Sequence, residues 1–550
     1  MSKILRHAVL VGLLATLGCV EAGGGGGGGQ SGGTGSGGST GSGGSSATGG
    51  RAGSGGSSAT GGSSATGGSS ATGGSSGTGG SSARGGSSAM GGSSATGGSS
   101  GTGGSSAAGG GSGTGGGTGT GGGTGTGGGT GTGGGSGTGG GTGTGGSTGT
   151  GGSTGPSTCG TATKAQAPSG VTPFRAIDGF VTRNGSELEL CGQPFKILGT
   201  NTYYVQSYAV YESGSLAVVG STFDDMVKMS LPVARMWAFN AVSGDGAIIE
   251  TAAGKYAEPG LVGLDTAIAE AKKRGIRVIL TLTNYWADYG GLPQYAKWAG
   301  AASAQDFYTN TTMQGYFKAY ATMLSQRTNT VTKVAYKDEP AILAWEIANE
   351  LRCPSCTDSS PVTAAIDSLS KFLKSIFPNH LIADGGEGMD DTPSNWGTLS
   401  NTYPIRGGEA GGGERTSYTN MVKLTALDMA SYHYYPVGWG MAATPASTVA
   451  SDAQVWIEGH AKLATDAGKV AYWGEFGFKP NSGITDAERA PVYDDWLTTF
   501  FGGTDHGALA LFWQLMPQNH AADDGYACIL GRDTNTVAVF EKYAQPRAPR

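Results

Sequence analysis

From residue 195 onward, short uninterrupted apolar runs alternate with longer stretches of helical periodicity, about eight times. The runs lie at 195–204, 233–239, 278–283, 342–348, 381–383, 429–434, 470–476 and 508–515. A run without polar alternation is a strand covered on both faces, which calls for a parallel sheet with helices packed outside it. Among the helical stretches, 261–275 has apolar residues at 264, 268 and 271 and closes on Lys272-Lys273-Arg274-Gly275, a basic last turn and a glycine stop. Ser221 ahead of Asp224 and Asp225 reads as an N-cap with an acidic first turn. Further helices are expected at 313–327, 362–377, 453–467 and 491–501. Eight such units around one core predict an α/β fold, a (β/α)8 TIM barrel. A doubly wound open sheet would want a glycine-rich phosphate loop after an early strand, and none is there.

The alternation leaves the first part of the chain unaccounted for. Residues 23–156 repeat units such as Gly-Gly-Ser-Ser-Ala-Thr and Gly-Gly-Gly-Thr-Gly-Thr. With so little apolar surface to offset the backbone entropy of ordering, this stretch is expected to be a disordered Gly/Ser/Thr-rich linker. Residues 1–22 read as an export signal, with Lys3, Arg6 and His7 before an apolar run, 8–17, too short to span a bilayer. Thr16-Leu17-Gly18-Cys19 resembles a bacterial lipoprotein cleavage site with the leucine one residue late. A lipid anchor at Cys19 and simple cleavage both stay open, so the expected location is secreted or extracellular, with a cell-surface lipoprotein as the anchored form. That leaves 157–550 as one folded domain.

Of the net charge of −6, the residues up to 156 carry +3, so the remainder carries −9. No Lys/Arg stripe accompanies it, which argues against nucleic acid or an anionic membrane as partner and for a neutral substrate. Apart from Cys19 there are five cysteines, so at least one thiol stays free if the others pair within the chain. Cys353 and Cys356 have no second Cys or His pair at metal spacing nearby, and in an exported chain they are expected to form a local disulfide.

In a barrel the reactive groups stand at the carboxyl ends of the strands. The polar residues there are Asn201, Arg235, Asn284, Asn349, Glu350, His433 and Glu475, with Trp513 beside them. Glu350 follows the fourth strand and Glu475 sits in the seventh, across the mouth from each other. A single rim glutamate is more readily explained by a salt bridge. Two of them, with no Lys or Arg adjacent on their strands, form the carboxylate pair of glycoside hydrolysis, where a separation of roughly 5 Å means double displacement and a wider one inversion. His433 and Tyr435 occupy alternate positions and so face the same side, from which Tyr435 can donate to Glu475. Trp237, Trp286, Trp298 and Trp513 offer aromatic faces to sugar C–H groups.

These pieces fall into an order. Ala234-Arg235-Met236-Trp237, Asn284-Tyr285-Trp286-Ala287-Asp288-Tyr289-Gly290-Gly291, Ala348-Asn349-Glu350 with Arg352-Cys353-Pro354-Ser355-Cys356, Tyr432-His433-Tyr434-Tyr435-Pro436, Gly474-Glu475-Phe476-Gly477, Phe512-Trp513-Gln514 and Asp523-Asp524-Gly525-Tyr526 together resemble the β-mannanases of glycoside hydrolase family 5 over nearly all of residues 171–545. The resemblance implies a retaining endo-hydrolase of β-1,4-mannosidic bonds in mannan, galactomannan or glucomannan. Glu350 would be acid and base, Glu475 the nucleophile, and Arg235 the group that keeps the nucleophile ionised. Asn349 would bind the sugar hydroxyl beside the reacting carbon, His433 and Tyr435 would flank it, and Trp513 would lie under the sugar, with Trp286 and Trp237 extending the platform. To act near neutral pH, Glu350 must hold its proton about two units above the free value of ~4.3. No metal or organic cofactor is implied; the expected partner is a β-mannan polysaccharide, and the expected state a monomer. Many relatives continue Asn-Glu with proline where this chain has Leu351, a change expected to loosen the backbone after the acid. A cellulase or other β-glucan hydrolase on the same scaffold, and a non-catalytic surface polysaccharide-binding protein, are the alternatives.

Overall fold

Eight parallel strands close into a barrel: β1 Ile197–Asn201, β2 Val233–Trp237, β3 Arg277–Thr281, β4 Ile342–Glu346, β5 Leu381–Ala383, β6 Met429–Tyr434, β7 Val470–Phe476 and β8 Leu509–Phe512. Each pairs with the next, and β8 returns to β1 through Leu509 opposite Ile197. The expected (β/α)8 architecture is the one adopted. The computed structural model describes residues 53–54, 57–58, 159–160, 163–210, 213–242, 246–391, 414–439, 446–478, 485–502, 507–518 and 524–550. Gly24–Thr150 forms one unit, and Met1–Gly23 with Gly151–Arg550 the other. The export-signal and linker expectations for 1–22 and 23–156 lie outside the described residues, except for an antiparallel pairing of Gly53–Ser54 with Ser57–Ser58.

Alternate residues of each strand face the axis, which sorts the interior by depth. At the amino ends Ile197, Val233, Ile279, Leu381, Met429, Val470 and Leu509 join one apolar cluster. Val181, Leu188 and Leu190 belong to the same cluster, so the three-stranded antiparallel sheet of Val181–Asn184, Glu187–Leu190 and Gln193–Pro194 plugs that end of the barrel. A disulfide between Cys159 and Cys191 fastens the incoming chain to this plug, and a second joins Cys353 to Cys356 as expected. Cys528 is free and buried. Toward the carboxyl ends the inward residues become polar: Asn201, Thr281, Glu346 and His433, all fully buried.

The outer shell is helical: α1 Ser213–Lys228, α2 Glu258–Lys273, α3 Thr311–Gln326, α4 Ser360–Ile376, α5 Tyr418–Met421, α6 Ala446–Asp466, α7 Asp486–Gly502 and α8 Thr534–Ala544. In α2, Glu258 and Pro259 open the first turn, Lys272 and Lys273 close the last, and Gly275 takes φ 76°, all as the composition of that stretch demands. Asn310 caps α3 by accepting from the Thr312 and Met313 amides at 2.9 and 3.1 Å. Ser221 is not a cap. It lies inside α1, where its hydroxyl donates to the Val218 carbonyl at 3.0 Å, the back-bonding that lets serine sit within a helix.

Strand β7 carries one irregularity. Val470 and Tyr472 face the axis and Ala471 and Trp473 face the helices, but the register with β6 then shifts, so that Glu475 instead of Gly474 comes opposite His433. One extra residue, Gly474, is accommodated there, and Phe476 stacks outward on Trp473 at 4.2 Å. A bulge of this kind re-aims the side chain that follows it.

Candidate active site

Arg235 is the hub of the carboxyl-end layer. Its guanidinium is fully buried, and its donors are all engaged: Nε to Glu346 Oε1 at 2.8 Å, Nη1 to Asn201 Oδ1 at 3.0 Å and Glu475 Oε1 at 2.8 Å, and Nη2 to Asn349 Oδ1 at 2.8 Å. Asn349 in turn donates to Asn284 Oδ1 at 3.1 Å, so both halves of its amide are held by protein. Six residues, from strands β1, β2, β4 and β7 and the loops after β3 and β4, are thus locked into one frame, which suits the planar fork of arginine better than a lysine point charge.

Glu475 also accepts from Tyr435 Oη at 2.5 Å. Glu350 accepts from Trp286 Nε1 at 2.6 Å and meets His433 Nδ1 at 3.1 Å, while His433 Nε2 lies 3.7 Å from Glu475 Oε1. Glu350, His433 and Glu475 each offer an atom within 4.8 Å of the other two, so oxygens of the two glutamates approach that closely. Glu350 has φ 53°, the left-handed region that costs a non-glycine residue of the order of 1 kcal/mol. Its amide is held by the Gly385 carbonyl at 2.8 Å. A proline at the next position would push Glu350 toward extended backbone, whereas Leu351 permits this conformation and is only 2% exposed. The loop beyond is pinned rather than loosened, by the Cys353–Cys356 disulfide, by Tyr308 Oη on the Arg352 carbonyl at 2.9 Å, and by the Cys353 amide on the Glu414 carbonyl at 2.8 Å.

The electrostatics depart from the simple expectation for an acid. Burial pushes the Glu350 carboxyl up, but the hydrogen bond and charge of His433, then Arg352 and the Trp286 N–H, bring it down to about 2. Burial alone would strip His433 of its proton, yet Glu475 and Glu350 hold its pKa above the ordinary histidine value. Glu475 is raised, chiefly by burial, with His433 and Arg235 opposing and Glu350 adding to the rise. Within this pair a proton is therefore held more readily by His433 than by Glu350.

The remaining sequence candidates take different places. Trp513 is half-buried, stacks on Tyr203 with centroids 5.2 Å apart and planes 6° apart, and donates from Nε1 to Asp524 at 2.8 Å. Trp237 is 4% exposed and packs among Tyr203, Phe239 and Trp513. Trp286 lies under the Arg352 guanidinium at 4.8 Å and reaches Glu350 through its ring nitrogen. Trp298 packs on Tyr295 at 5.7 Å.

A model of the family described as GH family 5 beta-mannosidase-like matches residues 178–402. Mannan endo-1,4-beta-mannosidase 3 of Arabidopsis thaliana is 33% identical over 376 residues, covering 66% of this chain and 88% of that protein. The chain belongs to glycoside hydrolase family 5. Among solved structures, the endo-1,4-beta-mannanase of Rhizomucor miehei superposes with a TM-score of 0.58 at 31% identity, covering 67% of this chain and 99% of that one. The endo-beta-1,4-mannanase of Thermotoga petrophila gives 0.57 at 28%, covering 64% and 77%.

In this family 5 hydrolase four charged residues of the site are not evident from the sequence. Glu346 sits in the middle of an apolar run, where a lone carboxylate is itself a signal that a buried partner must exist. Arg352 and Glu387 form a two-pronged pair at 2.6 and 2.7 Å, with Glu414 on the same guanidinium at 2.8 Å. Nothing in local spacing links residues 352, 387 and 414; the proximity of Arg352 to Glu350 was the available hint.

Proposed function

We propose that this family 5 hydrolase is an endo-β-1,4-mannanase acting with retention, Glu475 as nucleophile and Glu350 as acid and base. The observation that carries the mechanism is the approach of the two carboxylates to within 4.8 Å, the short separation of double displacement as against roughly 6.5–9.5 Å for inversion. The substrate is supported by the mannan-degrading relatives at 33 and 31% identity.

In the first step Glu475 attacks the anomeric carbon while the glycosidic C–O bond breaks, and the leaving oxygen takes the proton that Glu350 shares with His433 Nδ1. Arg235 and Tyr435 direct the Glu475 lone pairs. The sugar is then an ester of Glu475, and loss of that carboxylate charge makes Glu350 a base toward water, whose proton it accepts as the new C–O bond forms and the ester bond breaks. Two inversions leave the anomeric configuration unchanged. Trp513, backed by Tyr203, serves as the platform under the sugar. Residues 1–22 acting as an export signal, and 23–156 as a tether, complete the proposal; mass spectrometry of the mature N-terminus tests it, and a chain still beginning at Met1 would overturn it.

Mannohexaose products followed by NMR should appear first as the β-anomer, and carboxymethylcellulose should be cleaved more slowly than galactomannan. Glu350→Ala and Glu475→Ala should each lower kcat by roughly 10²–10⁴-fold or more while oligosaccharide binding persists. An α-anomeric first product overturns the mechanism, faster cellulose cleavage overturns the substrate, and a wild type that binds without releasing sugar makes the protein a binding module.

A further inference from the structure

Glu346 is 0% exposed at the end of β4. A carboxylate in such a place is tolerated only when charge and hydrogen bonds compensate it. Its donors come from three other strands: Arg235 Nε at 2.8 Å and Nη2 at 2.7 Å from β2, Thr281 Oγ1 at 2.6 Å from β3, and Tyr472 Oη at 3.3 Å from β7. The same guanidinium reaches Glu475 at 2.8 Å through Nη1. One buried cation thus stands between two carboxylates, of which one faces the cleft and the other does not.

We propose that Glu346 is a positioning residue that fixes the plane of Arg235 and carries its standing counter-charge, so that Glu475 can surrender its own charge to the sugar without leaving a buried cation unpaired. The inference rests on the reading of Glu475 as nucleophile. When the glycosyl ester forms, the Arg235–Glu475 ion pair disappears, yet Arg235 keeps Glu346. Without Glu346, the whole of the Arg235 charge would fall on Glu475, stabilising the free carboxylate and opposing ester formation. The other titratable groups around the pair are His433, Glu350 and Tyr435 on the Glu475 side, and Tyr472 and Asp384 on the Glu346 side. Asn201, Asn349 and Thr281 complete the contacts and carry no charge.

A role confined to stability and a role in charge-holding predict different kinetics for Glu346→Gln, which keeps the shape and removes the charge. With mannohexaose, formation of the ester is the demanding step; with an activated aryl β-mannobioside, its hydrolysis is. The expected result is that kcat/KM on mannohexaose falls about tenfold and the acid limb of its pH profile moves down by about one unit. Turnover of the aryl substrate is expected not to fall, because the intermediate is less stable and breaks down at least as fast. Equal losses on both substrates with an unmoved acid limb, in a protein of wild-type melting temperature, would overturn the inference. Tyr472→Phe provides a second test should Glu346→Gln not fold. It removes a donor and keeps the charge, so Glu346 leans harder on Arg235 and the acid limb should rise; an unmoved or falling limb overturns the inference. A wild type inactive on both substrates would instead defeat the hydrolase reading on which the inference stands.

Discussion

His433 Nδ1 lies 3.1 Å from Glu350 Oε1, with Glu475 on the far side of the ring at 3.7 Å, and of the two groups His433 holds a proton more readily. The proton that the leaving group needs therefore belongs to a pair, and the basic limb of kcat/KM reports that pair rather than Glu350 alone. Since the His433 pKa lies above the ordinary histidine value, the limb is expected above about 6.5. In His433→Asn the limb should drop by more than one unit, to the value of a buried Glu350 still beside Arg352; a limb that stays in place would show that His433 holds no part of the proton. Residue type and strand position made Glu350, Glu475 and Arg235 legible as candidates. The ionisation of Glu350 was not legible, because burial, which the sequence announces, is outweighed by a histidine 83 positions away. Glu346 was hidden for the same reason, its guanidinium partner lying 111 positions upstream.

At the scale of the element, the bulge in β7 decides which way a catalytic side chain points. Strict alternation from Val470 and Tyr472 would turn Gly474 and Phe476 inward and Glu475 out among the helices. Apolar runs reveal where a strand is and conceal a one-residue slip within it, so the strand could be read and its phase could not. Glycine is required because a Cβ at 474 would meet Ser431 Oγ at 2.8 Å and His433 Nε2 at 3.3 Å. Gly474→Ala is expected to lower the melting temperature, with a cost of roughly 1–3 kcal/mol, and to reduce kcat by displacing His433. Adding Ser431→Ala should restore part of both, since it removes the nearer of the two contacts. Circular dichroism melts and kcat on mannohexaose measure the pair, and a single variant indistinguishable from wild type would rule the steric account out. Helix α1 makes the complementary point: its start was misplaced because Ser221 suits a cap and an internal back-bond alike.

For the whole molecule, the eightfold alternation was enough to fix the barrel, because buried parallel strands admit few other closures. Its pH tolerance depends on groups that no pattern exposes. Glu250, paired with Tyr295 Oη at 2.9 Å, is raised by burial from 4.5 to about 8. The folded state thus binds a proton more tightly than the unfolded one, so the stability it contributes is complete below 4.5 and is lost as pH rises toward 8. Glu250→Gln should match wild type in melting temperature near pH 4 and exceed it increasingly up to pH 8, by up to roughly 4 kcal/mol; a constant offset across that range would contradict the assignment. Arg235 touches residues contributed by β1, β4, β7 and the loop after β4. Backbone pairing holds a barrel rim only from neighbour to neighbour, and this guanidinium, seconded by Tyr472 Oη on Glu346, acts as a tie rod across the diameter. The cleft cannot then be widened or softened to admit bulkier polysaccharides without slackening the cylinder itself, and diversity of substrate is left to the loops above the strand ends.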